Sequence, residues 1–63
     1  MGKDSRDKAG EAYRKLRYSE TEADNAKKIF EKIGDSDGAG LAKKASDAAK
    51  EGADYVQRRL GKG

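Results

Sequence analysis

The sequence predicts an all-α chain folded as an antiparallel helical hairpin, and three observations carry that reading. The 63 residues contain no Pro and few β-branched side chains, Ala, Lys, Glu, Arg and Asp fill long stretches, and one breaker cluster, Gly34-Asp35-Ser36-Asp37-Gly38, interrupts them. Such a composition suits a helix far better than a pleated strand. A single cluster of turn residues then divides the chain into two helices.

The elements follow in order. Asp4 and Ser5 are the expected N-caps of a first helix over about 5–33. Gly34 supplies the left-handed C-cap, and Asp35, Ser36 or Asp37 can cap the next helix, so the turn is placed at 34–37. The second helix is expected over about 38–60, with Gly61-Lys62-Gly63 fraying its end.

Within the first helix a seven-residue repeat places Ala9, Leu16, Ala23 and Phe30 at one seam position and Ala12, Ser19, Ala26 and Ile33 at the other. An uninterrupted helix of this span is roughly 44 Å long. A competing signal lies in Ser19-Glu20-Thr21-Glu22, whose S-x-x-E spacing is that of a capping box. A break near Ser19 would give a three-helix bundle, the alternative architecture.

The second helix repeats as Ala42, Ala49 and Val56 at one position and Ala45, Gly52 and Arg59 at the other, with Ala53 and Leu60 widening the stripe. Reversal about Ser36 pairs residue i with 72 − i, setting Leu16 by Val56, Ala12 by Leu60, Ala23 by Ala49 and Phe30 by Ala42. Alanine opposite alanine permits close approach at mid-length. Gly52, at a seam position, fits the same purpose.

The whole chain, 1–63, reads as a single small helical domain. Its hydrophobic fraction is 33% and its charged fraction 43%, and ten of the hydrophobic residues are alanines. Apart from Met1, only ten large apolar side chains are left for a core, too few to enclose a catalytic pocket. A two-helix hairpin buries only the stripe facing its partner helix. Ile29, Leu41, Ala48 and Tyr55 lie off that stripe and form a second apolar strip, which a second copy could cover in a four-helix bundle.

Zero Cys and zero His remove disulfides, the common zinc ligands and the usual nucleophiles and bases, so no enzyme activity, cofactor, metal or small-molecule substrate is expected. The Asp35-Ser36-Asp37 run lacks the spacing of a calcium loop, since twelve residues counted from Asp35 end on Ser46 rather than on Glu. No apolar run approaches a membrane span, and Met1 to Gly10 lacks the apolar stretch of a secretory signal. With little Leu, Phe or Trp to insert, a membrane surface is not an expected partner. A soluble, cytoplasmic protein is expected.

Charge supplies a further lead. Residues 1–18 carry six positive and three negative side chains, 19–54 six and nine, and 55–63 three and none. Hairpin folding then predicts a basic terminal end and an acidic turn end. Arg14, Lys15, Arg17, Arg58, Arg59 and Lys62 are the candidate phosphate contacts, with Tyr13, Tyr18 and Tyr55 nearby to stack on bases.

Three functions are consistent with these features. The first is a non-enzymatic interaction module that self-associates or docks a protein partner through Tyr13, Leu16, Ile29, Leu41, Tyr55, Val56 and Leu60. The second is a nucleic-acid-binding accessory protein using the basic end. The third is a largely disordered regulator that folds on binding.

Overall fold

The computed structural model describes residues 3–61. They form two α-helices, α1 over Lys3–Lys32 and α2 over Ser36–Gly61, which pack side by side as a hairpin. The result is a rod with extents of 47 × 14 × 11 Å.

α1 is continuous through Ser19. The two residues between Ser19 and Glu22 are bonded within the helix: the Thr21 hydroxyl donates to the Arg17 carbonyl at 3.2 Å, and Glu20 pairs with Arg17 at 3.1 Å. Both are bonds of an uninterrupted helix. With no Gly or Pro to reverse the chain there, the three-helix alternative is not adopted. Asp4 and Ser5 stand inside the first turn of α1 rather than ahead of it. α2 extends to Gly61; the fraying expected of Lys62 and Gly63 lies outside the described residues.

The turn is tighter than the sequence suggested. Gly34 has φ 77° and donates to the Glu31 carbonyl at 3.2 Å, while Asp35 N–H donates to the Phe30 carbonyl at 2.9 Å. These are the paired bonds of a Schellman motif, with glycine in the left-handed position that an L side chain resists. Asp35 also caps α2: its Oδ1 accepts from the Gly38 N–H at 2.9 Å, and its carbonyl accepts from the Ala39 N–H at 3.0 Å. One residue therefore closes one helix and opens the next, and α2 begins at Ser36 rather than at 38.

This compact link moves the reversal from Ser36 to Gly34-Asp35, which shifts the register by about one helical turn. The Phe30 ring lies over Gly38 and Leu16 over Gly52. Leu16, expected beside Val56, thus lies over the position one turn earlier on α2. A Cβ on Gly52 would stand 3.1 Å from the Leu16 side chain, so this glycine does serve close approach.

The seam itself is displaced by one residue on each helix. Its first expected positions hold: Ala9, Leu16, Ala23 and Phe30 are half-buried against Ala42, Ala49 and Val56. The second holds only at Ala26 and Gly52, which are half-buried: Ala12, Ser19 and Ile33 are exposed, as are Ala45 and Arg59, and the stripe is completed by Tyr13, Glu20 and Lys27 with Ser46, Ala53 and Leu60. Burying Arg59 would desolvate a guanidinium without a partner. The adjacent stripe offers Leu60 and the fully buried Ala53, at 0% exposure. Its polar member, Ser46, is satisfied by donating to Asp24 Oδ1 at 2.8 Å.

Candidate interaction surface

Two sides of the hairpin differ in character. Along one, the helices are bridged by polar groups: Ser46 by Asp24, and the Leu60 carbonyl by the Arg6 guanidinium at 3.1 Å. Shallow grooves on this side are lined by Tyr13, Gln57, Leu60 and Gly61, and by Glu31, Gly34, Ser36 and Ala39. Successive residues on a helix are turned about 100° from each other. The positions just before Tyr13, Glu20 and Lys27, namely Ala12, Ser19 and Ala26, therefore face the opposite side.

On that opposite side α1 presents Ala12, Ser19 and the half-buried Ala26, with Ile29 beside them in a row whose earlier members are the charged Glu22, Lys15 and Lys8; Ile33 stands just past the end of α1, and α2 presents Leu41, Ala45, Ala48 and Tyr55 with the half-buried Gly52. Leu41 is 66% exposed, Tyr55 56%, Ile29 60% and Ile33 69%, so most of the large apolar side chains in the second half of α1 and along α2 are uncovered. The five α2 positions span four turns without a charge. Ile29, Leu41, Ala48 and Tyr55 thus occupy the second apolar strip that the sequence placed there.

Ile33 joins this strip although its repeat with Ala12, Ser19 and Ala26 predicts a seam position. Arg59 carried the signal that could have corrected it, since it occupies the matching repeat on α2 and resists burial. Of the other candidate interaction residues, Tyr13, Leu16, Val56 and Leu60 are half-buried between the helices. They hold the hairpin together.

The basic residues encircle the open end and do not gather on one face. Arg59 lies on the apolar side beside Tyr55, Arg58 on the outer face of α2, Arg14 and Lys15 on the outer half of α1 in a shallow groove with Glu11, Tyr18 and Ser19, and Arg17 on the polar side against Glu20. Lys62 lies outside the described residues. The turn end is not acidic. It carries Lys27, Lys28, Lys32, Lys43 and Lys44 against Glu31, Asp35 and Asp37, and the negative excess sits at mid-length in Glu20, Glu22, Asp24, Asp47, Glu51 and Asp54. Summed as one block, residues 19–54 average these two regions.

In the turn, the Asp35 carboxylate is engaged as a helix cap, which gives the Asp-Ser-Asp run a structural use. No described helix is long and apolar enough to cross a membrane. Compared with family models, curated proteins and solved structures, the chain matches none.

Proposed function

We propose that the protein is a non-enzymatic helical module that works by self-association through the face that carries its exposed apolar strip. The observation that carries this reading is the strip Leu41, Ala45, Ala48 and Tyr55, exposed along α2 with the half-buried Gly52 among them, and continued by Ile29 on α1 and Ile33 just past its end. A contiguous apolar face on a chain with 43% charged residues is the feature that marks protein contact surfaces. The hairpin alone encloses little: its buried core is Ala42, Ala49 and Ala53 with Ser46. A second layer of helices would roughly double the apolar contact of each helix, as four-helix bundles do.

Association that favours the folded state makes the melting temperature depend on concentration. The midpoint followed by circular dichroism is expected to rise between about 5 and 500 μM, by several degrees for each tenfold step. Leu41→Asp, at an exposed position, is expected to flatten this dependence. A wild-type midpoint that is the same at both ends of the range would overturn the reading.

A further inference from the structure

We infer that the occupant of this apolar face is a second copy of this chain, laid antiparallel so that the two turns lie at opposite ends of a four-helix bundle. The inference rests on the self-association reading and adds orientation and register to it. Its basis is the charge pattern along the edges of the face.

On α2, the residues flanking Leu41, Ala48 and Tyr55 on the side away from α1 recur every seven positions: Asp37, Lys44, Glu51 and Arg58. Their signs alternate. All four are exposed, and none is within an ion pair among the described residues. When α2 is laid antiparallel on its own copy with i beside 95 − i, Asp37 meets Arg58 of the second copy and Lys44 meets Glu51. The pattern is its own complement, which is the requirement of a two-fold interface.

The apolar residues fit the same register. Leu41 falls between Gly52 and Tyr55 of the second copy, large against small, while Ala45 and Ala48 meet their counterparts across the axis. Two helices lined with alanine and glycine at mid-length can approach closely there.

α1 gives an independent check. Its corresponding flank reads Glu11, Tyr18, Asn25 and Lys32, and Glu11 meets Lys32 of the second copy when i lies beside 43 − i. The axis implied by α1 therefore passes between residues 21 and 22, and the one implied by α2 between 47 and 48. Within a hairpin these levels coincide, since Asp24 bonds Ser46, and Leu16 and Phe30 lie over Gly52 and Gly38. Two charge patterns and the register of the fold locate the same axis. Of the charges near mid-length, Asp24 lies on the polar side and Asp47 and Asp54 are directed away from the face, while Glu22 comes beside Ser19 of the second copy and Lys15 beside its Ile29, where the aliphatic stem can lie along the isoleucine and leave the ammonium in water.

The other two-fold packing of this face sets the turns together and each α1 on the second copy's α2. It pairs Asp37 with Lys32 and Arg58 with Glu11, but leaves Lys44 by Asn25 and Glu51 by Tyr18. It also stacks the two basic open ends on each other. The face measures about 47 by 14 Å, so two copies would cover roughly 1,300 Å² in all, within the range of specific interfaces.

The test combines orientation with charge. With no native Cys, a spin label on Ser36→Cys reports one intermolecular distance, expected at about 35 Å from the rise between residues 36 and 59. Lys44→Glu is expected to weaken self-association about tenfold by placing like charges together twice, and Lys44→Glu with Glu51→Lys to restore it. A dimer with a Ser36 distance under about 20 Å, or one indifferent to Lys44→Glu, overturns the antiparallel register and leaves self-association standing. A chain that gives no intermolecular distance and stays monomeric overturns both.

Discussion

Ala53→Asp is expected to unfold the hairpin, with a loss of about 3–5 kcal/mol, the cost of an uncompensated buried charge. Ala53 is the only residue at 0% exposure among the buried core residues, and the seam around it is built of Ala49, Val56 and the Leu16 side chain over Gly52. None of these offers a hydrogen bond to a carboxylate. In a domain of this size such a loss rivals the whole stability, so far-ultraviolet circular dichroism should show a largely disordered chain. Ala48→Asp makes the contrast. Ala48 is exposed on the second strip, and the same change there should leave the helices formed at low temperature while abolishing association. Equal loss of helix from the two variants would contradict the division between seam and outer face.

Gly38→Ala is expected to destabilise by about 1–3 kcal/mol even though alanine is the better helix former. A Cβ at this position would stand 2.5 to 2.8 Å from three carbons of the Phe30 ring. The ring would have to leave its seat over the first turn of α2, taking with it the largest side chain at the closed end. Gly40, two residues on, has nothing within 4 Å of a built Cβ, and Gly40→Ala should stabilise by about 1 kcal/mol. Thermal melts of the two variants should therefore move in opposite directions. A stabilised Gly38→Ala would show that Phe30 does not pack there.

Much of this architecture is legible in the residues. The absence of Pro, the helix-forming composition and the single breaker cluster give two helices, and Gly34 and Asp35 are recognisable as the cap residues they are. The register was harder. Gly34 and Asp35 fuse a C-cap and an N-cap into one step, and a link shorter by little more than a residue moves facing side chains by a full turn. The choice of seam was ambiguous for a different reason. Where ten alanines stand at nearly every turn, adjacent stripes differ little in apolar content, and the decision falls to single residues such as Arg59 and Leu60. The outer strip was legible at Ile29, Leu41, Ala48 and Tyr55, whereas Ile33 was hidden by the same ambiguity. The alternating signs of Asp37, Lys44, Glu51 and Arg58 acquire meaning only once the hairpin shows that they border an exposed face.

The hairpin thus separates two tasks along α2. The stripe through Ala42, Ala49 and Ala53 meets α1, and the stripe through Leu41, Ala48 and Tyr55 is left for another layer. Sedimentation equilibrium at tens to hundreds of micromolar tests this division most directly. The expected result is a mass twice the 6.8 kDa of one chain, falling toward one chain on dilution and in Leu41→Asp. A fully helical species that holds the mass of a single chain at hundreds of micromolar would contradict it.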